Sequence, residues 1–168
     1  NMLVSTYMKD LMKKTKPSHA YEAIKRNHAP GGMMSYESAD DLKFYVKKGY
    51  CPGNAGKTLE WAFQDWGLSR MALRMGKKSD AALYEKRSRA WTPLFNKNIG
   101  LILPKKENGE WLHTDPLNGQ GWVEANAWQA TWSVSHDLPK LVELMGGGDA
   151  FCKKLNYAFE QARPTDFV

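Results

Sequence analysis

Residues 57–75 carry the longest uninterrupted helical pattern in the chain, and it is apolar on two sides. Leu59, Ala62, Phe63 and Trp66 make one stripe, while Trp61, Leu68, Ala72 and Met75 make another. A helix with one wet face needs only one stripe, so two of them require neighbours on both flanks. Gly76 closes the pattern, Ser79 is placed to cap a second helix, and the spacing predicts that partner over 80–95. The partner is one-sided. Tyr84, Ser88, Trp91 and Phe95 face one way, and Glu85, Lys86, Arg87 and Arg89 the other. An enclosed helix joined by a short turn to an amphipathic one is an αα-hairpin with an inner and an outer member.

The rest of the chain repeats this grammar. Helical spacing predicts helices over 2–14, over 17–29 with Ala20, Ala23 and Ile24 inward, and over 38–49 with Ser38 as N-cap and Gly49 as stop. A further helix is expected over 121–137, then one from Asp137 to Met145, and a last one from Asp149 to Gln161 after the break at 146–148. The one β-like stretch is 99–113, where Asn108-Gly109 reads as a hairpin turn between Leu101-Ile-Leu and Glu110-Trp-Leu. Inner and outer helices in alternation predict an all-α fold, with αα-hairpins forming part of a toroid and a small β-hairpin inserted.

At 168 residues the chain suffices for one domain, and its 42% apolar content supports a core. The net charge of +6 invites a nucleic-acid reading. The placement of the cations argues against it: they come as pairs such as Lys47-Lys48 and Lys77-Lys78, several at predicted helix ends, where they complement the macrodipole. No apolar run approaches the ~18 residues of a membrane span, and no signal peptide is visible. Cys51 and Cys152 leave a disulfide and two free thiols equally open.

Gly53-Asn-Ala-Gly-Lys-Thr58 imitates a phosphate-binding loop, but the position that motif reserves for its first glycine is Cys51. A glycine loop entering a helix is the better reading. The four histidines share no metal-ligand spacing. His136-Asp137 reads as a loop histidine beside an N-cap. On the enclosed helix, Glu60 is expected to pair structurally, whereas Asp65 leaves structural and functional roles evenly open.

The stretch 121–137 differs from everything else. It carries Trp122, Trp128 and Trp132, with Asn126, Gln129 and Thr131, and Glu124 as its one acidic side chain before Asp137. On a helix, Glu124, Trp128 and Thr131 share a face. A carboxyl among indoles suits a carbohydrate or acid–base site provided desolvation raises its pKa. From residue types alone, a structural carboxylate stands ahead of a catalytic one.

The order of the residues reverses that ranking. Glu124-Ala-Asn-Ala-Trp-Gln-Ala-Thr-Trp-Ser-Val-Ser-His-Asp137 resembles the Glu-Gly-Asn-Ala-Trp-Gln-Tyr-Thr-Trp…Pro-His-Asp signature of glycoside hydrolase family 92, the calcium-dependent exo-α-mannosidases. Lys57-Thr-Leu-Glu-Trp-Ala-Phe-Gln-Asp-Trp66 is similar to that family's Lys-Thr-Leu-Glu-Tyr-Ala-Tyr-Asp-Asp-Trp. Ala20-Tyr-Glu-Ala-Ile-Lys25, Gly49-Tyr50 and Leu144-Met-Gly-Gly147 come in the right order. Departures are Ala125 for Gly, Ala130 for Tyr, Ser135 for Pro and Gln64 for the first Asp of its pair.

The resemblance implies a contiguous segment, residues 1–168, of an (α/α)₆ catalytic toroid. It implies Glu124 as general acid of an inverting hydrolysis, with Trp128, Asn126, Gln129 and Asp65 lining the sugar site. The base carboxylate, across ~6.5–9.5 Å in such enzymes, belongs to a later motif with no counterpart here. Ca2+ is implied for the whole enzyme, with its ligands mostly outside this chain. The implied partners are a mannose-containing glycan and the remainder of the enzyme, and the implied location is periplasmic or secreted. Alone, the chain is expected to be inactive. A non-catalytic carbohydrate-binding or scaffold domain is the alternative.

Overall fold

The computed structural model describes residues 2–32 and 39–163. The fold is predominantly helical, with one small two-stranded sheet. In order come α1 (Met2–Met8), α2 (Pro17–Asn27), α3 (Ala39–Lys48), α4 (Ala55–Arg74), α5 (Lys78–Arg87), β1 (Phe95–Asn96), β2 (Leu101–Ile102), α6 (Ala127–Ala130), α7 (Leu138–Met145) and α8 (Gly148–Gln161). The expected cap Ser38 lies outside the described residues. Among those residues no helix is long and apolar enough to cross a membrane.

The chain divides into two compact units: residues 1–49 with 60–90, and residues 50–59 with 91–168. In the first unit, α4 is buried along most of its length, with Trp61, Ala62, Asp65, Leu68, Ser69, Met71 and Ala72 all inside. Its core joins Val4 of α1, Ala20 and Tyr21 of α2, Leu68, Met71 and Ala72 of α4, and Ala81 and Tyr84 of α5. The enclosed character predicted for 57–75 is what this burial requires. The inward face of α2 differs from expectation, because Tyr21 takes the place of Ala23, which is exposed.

Two helices are shorter than their apolar spacing predicts. After α1 the backbone turns left-handed at Asp10, with φ 58°. α5 begins at Lys78, with Ser79 inside its first turn, and stops at Arg87. Pro93 disfavours helical geometry at Thr92, and a 3₁₀ turn over Thr92–Leu94 leads into β1. The side chains predicted inward (Tyr84, Ser88, Trp91 and Phe95) are buried nonetheless. Arg87, predicted outward, turns inward instead: its Nε donates to Asp65 at 2.9 Å.

In the second unit β1 and β2 pair antiparallel, Phe95 with Ile102 and Asn96 with Leu101, around Gly100 at φ 73°. The Asn108-Gly109 turn also forms, but with a single bridge between Lys105 and Trp111, so Leu101-Ile102 has a different partner from the one predicted. Leu101, Leu103 and Ala127 centre this unit's core, with Ile99, Trp111, Trp122, Trp128 and Trp132 packed against it. α7 ends on Gly146 in the left-handed conformation, as its glycines predict. Cys51 and Cys152 are both free thiols.

Candidate active site

The stretch 121–137 is not a helix. Residues 121–126 form a loop, α6 supplies a single helical turn, and two 3₁₀ turns complete the segment. The face shared by Glu124, Trp128 and Thr131 therefore does not exist. What replaces it is a loop held at its two ends.

Gly121 starts it, with φ 87°. Its carbonyl accepts the N–H groups of Ala55 at 2.9 Å and Gly56 at 3.3 Å, two of the donors that the first turn of α4 leaves unpaired. Asn54 Oδ1 accepts the next, from Lys57, at 2.8 Å. The first N–H donors of α4 are thus paired from within the chain. Gly53 N–H donates to the Lys105 carbonyl at 2.6 Å, and His113 Nε2 donates to the Gln120 carbonyl at 2.8 Å.

The far end is held by a capping box. Asn126 Oδ1 accepts the Gln129 N–H at 3.1 Å, and Gln129 Oε1 accepts the Asn126 N–H at 3.0 Å. Thr131 Oγ1 donates to the Ala127 carbonyl at 2.7 Å and accepts the Ile102 N–H at 3.0 Å, binding α6 to β2. Asn126, 1% exposed, is spent on this geometry. Its side-chain oxygen thus helps to hold the end of the loop.

Glu124 lies between these two anchors. It is exposed, and so is Val123; the enclosure by Trp122 and Trp128 expected from sequence is not found. The reason is local: with no helix, Glu124 shares no face with the indoles, which pack partly buried against the core of Leu101, Leu103 and Ala127. Glu124 has φ 49°, a left-handed conformation rare for a non-glycine residue. Strain of this kind persists only where the surroundings over-determine it. Its carboxylate makes no hydrogen bond or ion pair with a described residue.

Beside the loop, Trp128, Gln129, Trp132, Tyr157, Phe159 and Arg163 line a groove of about 550 Å³. Sequence spacing gave no sign of the contribution from α8. Nor did it foresee that Trp122 Nε1 and His113 Nδ1 are buried without a hydrogen-bond partner among the described residues.

Asp65, whose structural and functional roles the sequence leaves evenly open, belongs to the first unit. The residue is fully buried. Its Oδ1 meets His28 Nδ1 at 2.8 Å, and its Oδ2 accepts Tyr45 OH and Arg87 Nε, each at 2.9 Å. These three partners come from three different parts of the first unit. Glu60 is exposed and accepts from Gln64 Nε2 at 2.8 Å. Among the described residues no group of three His, Cys, Asp or Glu side chains converges as a metal site would.

This predominantly helical fold is that of a glycosidase catalytic domain. The Glycosyl hydrolase family 92 catalytic domain matches residues 1–166, and the chain belongs to that family. An inverting family 92 mannosidase of Bacteroides thetaiotaomicron superposes with a TM-score of 0.83 at 30% identity, over 92% of this chain and 22% of its own. A family 92 α-mannosidase of the same bacterium gives 0.83 at 25% identity, over 96% and 22%. An uncharacterized secreted glycosidase of Arthroderma benhamiae is 24% identical over 93% of this chain and 25% of its own length. The chain thus spans about a quarter or less of these relatives.

Proposed function

We propose that this chain is part of the (α/α)₆ catalytic domain of an inverting exo-α-mannosidase of the α-1,2 type, and that Glu124 is its general acid. The observation that carries the reading is the pairing of free side chain with fixed backbone: Glu124 is left-handed, anchored on both sides, and its carboxylate is bonded to none of the described residues. Asp10, the other non-glycine residue with positive φ among those described, has its carboxylate paired with Arg74.

In the proposed reaction the Glu124 carboxyl gives its proton to the glycosidic oxygen as that bond to the anomeric carbon breaks. A carboxylate from outside this chain takes a proton from water, whose oxygen attacks the opposite face of the same carbon. The products are mannose of inverted configuration and the shortened glycan. The acid must be protonated when the sugar arrives, and its desolvation is assigned to the bound sugar and to the rest of the domain, because this chain leaves Glu124 exposed. Trp128 supplies an apolar ring for the sugar, and Gln129 stands next to it in the groove.

Family membership supports a calcium requirement. The acidic and histidine side chains described here do not group as its ligands, so no step is routed through the ion and its ligands are assigned mostly to the remainder of the enzyme. Secretion or a periplasmic location is proposed from the relative named as secreted. The exposure of Glu124 favours one other reading, a non-catalytic sugar-binding or scaffold segment.

Hydrolysis of α-linked mannobioses by the complete protein, monitored by NMR of the anomer first formed, separates the two. The β-anomer is expected to appear first, and fastest from the 1,2-linked disaccharide. Release of the α-anomer first, or no hydrolysis with calcium present, contradicts the proposal.

A further inference from the structure

We propose that Lys154 is a positioning residue of the carbohydrate site, pinning the Trp128 indole from α8 and thereby setting the affinity for the sugar. The inference rests on the reading of the Glu124 loop and Trp128 as a mannoside site.

α8 has no fully buried residue, yet it reaches Trp128 of α6 and Trp132 of the 3₁₀ turn after it through three side chains on one face. Phe151 meets Trp132 edge-on, with ring centroids 5.7 Å apart at 86°, and Tyr157 lies 5.7 Å from Trp128 at 38°. Between them, three residues from each, is Lys154. A lysine at the centre of an aromatic stripe is out of place for a helix that only needs to pack. Its Nζ lies 4.8 Å from the centroid of Trp128 and donates to the Ile99 carbonyl at 2.7 Å.

Both contacts are directional. The carbonyl belongs to the turn between β1 and β2, and the charge-assisted hydrogen bond fixes the ammonium relative to it. The ring face then attracts the fixed charge through its quadrupole. The next residue is Gly100, and a Cβ there would lie 3.5 Å from Nζ and 3.6 Å from Cε, in ordinary contact with the lysine. Burial lowers the Lys154 pKa. Among the described residues no carboxylate pairs with it, so the cation is held only by the carbonyl and the indole. The sugar ring would then meet an indole whose tilt is set before it arrives, and pre-organisation of this kind raises affinity without touching the bond that breaks.

The test uses Lys154→Met, Lys154→Arg, Trp128→Phe and the double variant Trp128→Phe/Lys154→Met in the complete protein, with mannoside kinetics and the indole Nε1–H resonances in ¹⁵N spectra. Lys154→Met is expected to raise KM about tenfold with kcat within about twofold, the signature of lost uniform binding. It should also move the Trp128 indole resonance, identified as the one that Trp128→Phe removes. Lys154→Arg should recover most of the loss, since a guanidinium can both stack and donate. The double variant should be no worse than Trp128→Phe alone. A raised KM for Trp128→Phe but not for Lys154→Met overturns the inference alone, as do additive losses or an arginine no better than methionine. An unchanged KM for Trp128→Phe removes the sugar-site reading of Trp128 and the inference with it.

Discussion

The carbonyl of Gly121 accepts the N–H of Ala55 at 2.9 Å, so the loop that carries Glu124 begins on the first turn of α4. Gly121 is at φ 87°, and a Cβ built there would lie 2.7 Å from Pro104 Cβ and 2.9 Å from the Gly53 carbonyl oxygen. Neither neighbour is the tip of a flexible side chain. Gly121→Ala is therefore expected to destabilise the protein by about 1–3 kcal/mol, from overpacking and a conformation alanine resists. Thermal melts of the variant and the parent measure it. A variant as stable as the parent would mean the loop is less tightly seated than these distances state.

Breaking the Asp65–Arg87 pair tests the structural reading of Asp65. The Arg87 side chain is 12% exposed and that of Asp65 0%, so removing either partner takes from a buried charge its counter-charge, with only His28 and Tyr45 left on Asp65 or the His28 carbonyl left on Arg87. Asp65→Ala and Arg87→Met are each expected to cost about 3–5 kcal/mol in urea unfolding. The double variant should lose much less than the sum, because neither charge is then left alone. Additive losses would show that the two side chains act independently.

Asp80 gives the first unit an acid-sensitive contact. Lys25 Nζ lies 2.7 Å from its Oδ2 and Tyr21 OH 2.5 Å, and these hydrogen bonds, Lys25 first, hold its carboxyl below the ordinary 3.8. The unfolded chain thus takes up a proton at higher pH than the native one. The stabilisation is complete above the ordinary value and fades as pH falls through the lower, native one. Lys25 is 40% exposed, so screening keeps the effect to about 1 kcal/mol or less. Stability curves of the parent and Asp80→Asn should run apart at neutral pH and converge in acid. Curves that stay parallel would exclude the contact as the cause.

What the sequence made legible was burial, more than chain path. The two-sided pattern of α4, the glycine stops at Gly49 and Gly146, and the inward set Tyr84, Ser88, Trp91 and Phe95 are all found. Apolar spacing reports which side chains go inside, and a 3₁₀ turn can satisfy it as well as a helix. That is why the predicted helix over 80–95 and the α5 that forms share a buried face and differ in length. The tryptophan-rich segment misled for the same reason. Its lack of charge signals burial, but Gly121 and the Asn126 capping box, the features that make a loop of 121–126, are local signals that the helical reading overrode. The partners of Asp65 come from the residue just after α2, from α3 and from α5, and Lys154 meets a carbonyl 55 residues away; spacing cannot encode such contacts.

Cut off from the remainder of the domain, the chain holds the proposed acid but no assigned base. It is expected to release no mannose from α-mannobiose above the buffer blank, with calcium present, while the complete enzyme turns over. Calcium-dependent hydrolysis by residues 1–168 alone would place a base within them.

The role of Glu124 is tested most directly by how Glu124→Gln responds to the leaving group. In the complete enzyme, kcat for α-1,2-mannobiose is expected to fall by about 10²–10⁴, because an alkoxide cannot leave without a proton. A mannoside of 2,4-dinitrophenol, whose phenolate leaves unaided, should be hydrolysed within about tenfold of the parent rate. Equal losses on both substrates, or no loss on the disaccharide, would contradict Glu124 as the proton donor.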